Sequence, residues 1–134
     1  MYSNINYNNL LNILTFDESF IIDEIKMDEK CFGNVLLLLH SDDFKIKFVS
    51  EKNNFWCEIG KNDLYFIEDV FSLLNIKSQF TNVIFEEYIS NIAIVIREKY
   101  QELVDLFLPE NFSDSEKKLK EIGVLRAKKM FGIT

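Results

Sequence analysis

Apolar residues recur along this chain with two different periods, and the change from one to the other divides it. From Phe20 to Gly60 they alternate with polar residues in four short runs, Phe20–Asp28, Asn34–Ser41, Phe44–Glu51 and Phe55–Gly60. That period of two predicts half-buried strands. Turn residues separate the runs: Phe32-Gly33-Asn34, Asp42-Asp43 and Asn53-Asn54. Asn and Asp tolerate the positive φ of tight hairpins. Beyond Tyr65 the spacing becomes helical. Tyr65–Leu74 predicts a short helix with Phe66, Val70, Phe71 and Leu74 on its apolar side. Phe85–Leu108 predicts a longer one, with Phe85, Ile89, Ile92, Ile96, Leu103 and Phe107 inward, stopping before Pro109. Ser113-Asp114-Ser115-Glu116 is a capping-box sequence that predicts the start of a last helix, with Leu119, Ile122, Leu125 and Met130 as its stripe and its end near Gly132. At the other end, Ile5, Leu10, Ile13 and Leu14 lie near helical spacing behind Ser3 as an N-cap, predicting a helix over Asn4–Leu14. Its asparagines are poor helix formers, so packing must hold it.

The hairpin registers follow from pairing apolar positions. With Asn53-Asn54 as the loop, Phe48 faces Ile59 and Ser50 faces Cys57. Phe44, Ile46, Phe48, Cys57 and Ile59 then share one face. A loop of odd length would mix them with Lys45, Lys47 and Glu58, because a slip of one residue reverses every side chain. With Asp42-Asp43 as the preceding loop, Leu37 faces Phe48 and Leu39 faces Ile46. The second face carries Leu36, Leu38, His40, Lys45, Lys47, Val49, Glu51, Trp56 and Glu58. Being partly apolar, it is either covered in part by the first helix or meets a partner. The order α-β-β-β-β-α-α-α predicts a single α+β domain over residues 1–134: a four-stranded antiparallel meander with an N-terminal helix and three C-terminal helices packed mainly on one face.

Composition supports a folded chain. Of 134 residues, 48% are hydrophobic and 13 are Phe, which argues against disorder. No uninterrupted apolar run exceeds that of Val35–Leu39, far short of a bilayer span. The start, Met1-Tyr2-Ser3-Asn4-Ile5-Asn6, has no basic segment leading into an apolar run, so no secretory signal and a cytoplasmic location are expected. Cys31 and Cys57 form at most one disulfide, and reduced, buried thiols are the expectation.

The formal charge of −7 is uneven. Residues 113–134 hold six basic side chains against three acidic ones, a net +3, which leaves −10 on the preceding 112. An acidic field repels nucleic acid and anionic lipid and favours basic partners, although solvated carboxylates that only keep the chain soluble explain the same numbers. The basic stretch itself lacks interleaved aromatics and has a plain role beside a helix C-terminus.

Chemistry-bearing constellations are sparse. A nucleophile needs a base within hydrogen-bond reach. The sole histidine, His40, is expected on the opposite sheet face from Cys57, so an enzyme is not expected. No Cys-x-x-Cys, His-x-x-x-His or EF-hand spacing occurs, and the four glycines are isolated, so neither a metal nor a cofactor is expected. Acidic pairs recur, among them Asp17-Glu18, Asp23-Glu24, Asp42-Asp43 and Glu68-Asp69. Adjacent carboxylates on a strand are expected to split between its two faces. Binding of another macromolecule is the function class that remains. A non-catalytic adaptor or structural subunit, or a domain that holds a small ligand between sheet and helices, are the alternatives.

The stretch Phe48-Val49-Ser50-Glu51-Lys52-Asn53-Asn54-Phe55-Trp56-Cys57-Glu58-Ile59-Gly60, followed by Tyr65-Phe66-Ile67-Glu68-Asp69-Val70, resembles a pattern in small bacterial immunity proteins, the antitoxins of contact-dependent growth inhibition and related polymorphic toxin systems. The ending Leu125-Arg126-Ala127-Lys128-Lys129-Met130-Phe131-Gly132 is similar as well, and the resemblance spans about Leu10 to Gly132. It implies a cytoplasmic, non-catalytic protein that occludes a cognate toxin domain. Many such toxins are nucleases with basic active-site surfaces. The expected toxin contacts are Asp42, Asp43, Glu51, Trp56, Glu58, Glu68 and Asp69, with Trp56 as apolar anchor. Neither nucleic acid nor membrane is an expected partner.

Overall fold

The computed structural model describes residues 20–28, 34–51, 54–77 and 84–130, and the expected first helix, Asn4–Leu14, lies outside them, as does Cys31. Five strands form one antiparallel sheet in sequence order: β1 (Ile21–Asp28), β2 (Asn34–His40), β3 (Lys45–Glu51), β4 (Asn54–Gly60) and β5 (Tyr65–Phe66). Four helices follow among the described residues: α1 (Ile67–Leu73), α2 (Phe85–Glu98), α3 (Tyr100–Phe107) and α4 (Pro109–Met130). The fold is thus α+β, with one strand more than expected. The extra strand takes Tyr65 and Phe66 out of the first predicted C-terminal helix. Phe66 is accordingly 38% exposed, and Ile67 takes its place in the core.

The sheet buries the face that alternation assigns to it. Val35, Leu37, Leu39, Phe44, Ile46, Phe48, Cys57 and Ile59 join Ile67, Val70, Phe71, Ile89, Ile92, Ile96, Leu103, Phe107 and Leu119 in one core cluster. Leu37 faces Phe48 and Leu39 faces Ile46, as expected. The β3–β4 register is corrected: Phe48 faces Cys57, not Ile59, and Ser50 faces Phe55, not Cys57. The pair that closes this hairpin is Glu51–Asn54, so the connection is Lys52-Asn53, one residue earlier than expected. The two registers differ by two positions, which leaves every side chain on the same face; the apolar pattern therefore cannot separate them.

Three helix boundaries also have physical causes. Asn75, at φ 57°, ends α1 in the left-handed conformation that Asn tolerates, and Ile76 N–H bonds back to the Phe71 carbonyl (2.8 Å). The long helix expected over Phe85–Leu108 breaks at Lys99 (φ −108°, ψ 19°) into α2 and α3, although its predicted stripe is buried throughout. The break turns Tyr100 into an aromatic group with Phe44 (5.2 Å between centroids) and Phe20 (5.9 Å). The last helix starts at Pro109, not Ser113. Leu108 is extended (ψ 140°), as the residue before a proline prefers, and its carbonyl accepts from the N–H of Asn111 and Phe112. Glu116 bonds forward to Lys120 (3.0 Å), so the capping-box sequence is not used as one. Of the expected α4 stripe, Leu119 is buried and Ile122 half-buried, whereas Leu125 is 65% exposed.

Candidate functional site

The sheet face opposite the core carries the candidate site. Cross-strand pairing sets Lys26, Leu36, Val49 and Trp56 in one row and Glu24, Leu38, Lys47, Glu58 and Phe66 in the next. Leu36, Leu38, Val49 and Trp56 lie on this face outside the core cluster; Leu36, Leu38 and Trp56 are half-buried, and Val49 is buried. Trp56 is half-buried, and its Nε1 donates to Glu58 Oε2 (3.1 Å), which lies 3.9 Å from Lys47 Nζ. That chain fixes the indole and leaves a groove of about 440 Å³ beside it, lined by Lys26, Leu36, Lys47, Val49, Glu51 and Trp56. Trp is suited to such a place because it combines large apolar area with one polar handle.

The seven expected contact residues do not form one surface. Glu51 and Trp56 line the groove, and Glu58 is joined to it only through its bond from the Trp56 Nε1. Asp42 and Asp43 lie in the β2–β3 turn, beyond the far end of β3, which is itself about 20 Å from Glu51 at the usual strand rise. Asp42 is exposed, whereas Asp43 is half-buried and accepts from the Tyr100 hydroxyl (2.8 Å), which lies equally near Ser41 Oγ (2.8 Å). The Ser41 hydroxyl oxygen also accepts from the N–H of Asp43 (3.2 Å), so this turn is tied to the start of α3. Glu68 and Asp69 lie in the first turn of α1, in the helical layer. Glu68 is exposed, yet the packing around it raises its carboxyl above the ordinary range by partial desolvation. Asp69 is only 6% exposed, and its carboxylate receives Arg126 of α4 through Nε (3.0 Å) and Nη2 (3.3 Å). The guanidinium also lies 4.6 Å from the centre of the Phe66 ring. Asp69 is therefore an internal link between α1 and α4, not a rim carboxylate.

The separation of His40 from Cys57 is as expected. Cys57 is buried in the core, where desolvation pushes its thiol well above the ordinary value, aided by the Glu68 and Glu58 charges. Such a thiol is not activated for attack. His40 is half-exposed on the opposite face, and its Nδ1 lies 2.7 and 2.8 Å from the two Asp23 oxygens. The acceptor-only carboxylate assigns the proton to Nδ1. This pair corrects one expectation. The register shifts between Ile22 and Glu24, and the bulge turns both Asp23 and Glu24 to the face opposite the core instead of splitting them. Nothing in the alternation of that strand announces it. Among the described residues no group of three or more His, Cys, Asp or Glu side chains is placed to hold a metal ion, and no helix is long and apolar enough to cross a membrane.

Comparison of the chain with protein-family models, with curated proteins and with solved structures gave no match.

Proposed function

We propose that this chain is an immunity protein that neutralises a cognate toxin domain by binding it through the sheet face opposite the core. The observation that carries this reading is the Trp56 indole, held by Glu58 beside a partly apolar groove on the face the core does not use. Trp is among the residues enriched at interface hot spots, and a polar rim surrounds such anchors. In this reading Trp56 enters an apolar recess on the toxin, and Glu51, with its exposed carboxylate, pairs with a toxin lysine or arginine. A chain of −7 suits a basic toxin such as a nuclease, where occupation of the phosphate-binding cleft would be both steric and electrostatic. The protein works in the cytoplasm, without turnover of its own. Asp42 and Asp43 belong to the contact only if the toxin spans the length of β3, and Glu68 only if it reaches round to the helical layer; Asp69 drops out of the set.

Co-purification with the toxin encoded beside its gene tests the proposal. The expected result is a stable complex that Trp56→Ala weakens and that protects the toxin's target in an activity assay. A folded sample that neither binds nor protects would refute it.

A further inference from the structure

The groove beside Trp56 has one charge left over. Leu36 and Val49, paired across β2 and β3, give it an apolar floor, and Trp56 forms a wall. The single donor of the indole is spent on Glu58, so what Trp56 offers the groove is ring surface. Three charged side chains also line it. Lys26 is held by Glu24 at 3.0 Å, and Lys47 lies 3.9 Å from Glu58. Glu51 is exposed and takes part in none of the ion pairs among the described residues. The two lysines are thus balanced by the carboxylates of Glu24 and Glu58, and the uncompensated charge of the groove is negative.

We propose that this groove receives an arginine side chain of the partner, which the immunity reading, on which this inference rests, makes the toxin. The aliphatic stem of the arginine lies over Leu36 and Val49, its guanidinium stacks on the Trp56 ring, and Glu51 takes the charge. At about 440 Å³ the groove has room for a side chain of that length. Each other occupant leaves something unmet. A carboxylate meets Glu51 while both lysines already have partners. An apolar side chain covers Glu51 without pairing it, and a desolvated, unpaired carboxylate is unfavourable. A lysine satisfies the charge, but its compact, strongly hydrated ammonium lacks the flat fork that stacks on an indole and grips a carboxylate at two points.

Trp56 is the only tryptophan of the chain, so its emission reports on the groove. The test titrates the full chain with four short peptides alike except at one central position, which is arginine, lysine, citrulline or glutamate. Citrulline keeps the shape of arginine and removes its charge. The arginine peptide should change the emission saturably and shift the amides of Leu36 and Val49. Lysine should bind about threefold or more weakly, citrulline more weakly still, and glutamate not at all. Glu51→Gln, at an exposed strand end where folding is retained, should weaken the arginine peptide by about tenfold. Trp56→Leu keeps an apolar wall without the ring and should weaken it as well, read from the amide shifts. The proposal is overturned if the arginine peptide leaves the emission and those amides unchanged, if citrulline or glutamate binds as well, or if Glu51→Gln has no effect. It is also overturned if the emission changes with protein concentration alone and Arg97→Ala, at an exposed position of α2, abolishes that change, because a second copy then fills the groove. If the arginine peptide binds but the toxin does not, the preference of the groove stands and the immunity reading falls. If the toxin binds and Glu51→Gln leaves its affinity unchanged, the reverse holds.

Discussion

Gly60 ends β4 at a point where a Cβ would overlap the carbonyl oxygen of Asp63, backbone that cannot swing aside as a side chain would. Gly60→Ala should therefore cost about 1–3 kcal/mol, read as a lower urea midpoint at unchanged slope. Gly123, in the middle of α4, is the opposite case. A Cβ there meets only Asp69 Oδ2 at 3.8 Å, an ordinary contact, so Gly123→Ala should raise stability by about 0.5–1 kcal/mol. A gain at Gly60 or a comparable loss at Gly123 would contradict this account of the two positions. Arg126→Ala leaves the Asp69 carboxylate buried without its guanidinium. With Asp69 buried but Arg126 half-exposed, the cost should be about 2–3 kcal/mol, below that of a fully enclosed pair. Removing both partners, as Asp69→Leu with Arg126→Met, should recover most of it, and a double-mutant cycle measures the difference. None of this was legible beforehand: Asp69 and Arg126 are 57 residues apart, and each alone reads as an ordinary surface charge.

At the scale of elements, alternation is a strong guide to faces and a weak one to partners. It places Leu37, Phe48, Cys57 and Ile59 on one side of the sheet because a wrong parity would expose them all. It is silent on a shift of two, which is why the β3–β4 pairs differ from expectation, and on the bulge that turns Asp23 toward His40. Helical spacing carries across the break at Lys99 for a related reason: the stripe from Phe85 to Phe107 is buried on both sides of it, so nothing in the period marks the break. What the break positions is Tyr100, whose hydroxyl ties α3 to the β2–β3 turn through Ser41 and Asp43. Tyr100→Phe keeps the ring in its aromatic group and removes those bonds, and should cost about 1 kcal/mol in thermal or urea unfolding. An unchanged stability would mean the turn is held without α3. Of the candidate site, Glu51, Trp56 and Glu58 were legible together because they share a face of one hairpin. Asp42, Asp43, Glu68 and Asp69 share only their charge with that set, and charge carries no position.

For the molecule as a whole, the groups with raised values fall mainly at the alkaline end. Burial lifts Cys57 above its ordinary 9.0 and Tyr65 and Tyr88 above their ordinary 10.0. The folded chain keeps these protons to higher pH than the unfolded chain does. Unfolding thus releases protons in that window, and stability, complete below about pH 9, should fall as pH rises through it. Melting temperatures followed from pH 7 upward check the sign; a rise above pH 9 would contradict it. In a Cys31→Ser background, Cys57 should stay unreactive toward thiol reagents until the protein unfolds. The proposed binding surface is the sheet face opposite the core, which carries Trp56 and Glu51. Calorimetric titration of the toxin domain encoded beside the gene, against the wild-type chain and a folded Trp56→Ala variant, tests that most directly. The account predicts a tight complex that the substitution weakens by about 2 kcal/mol, roughly thirtyfold; equal affinity of the two proteins for the toxin would contradict it.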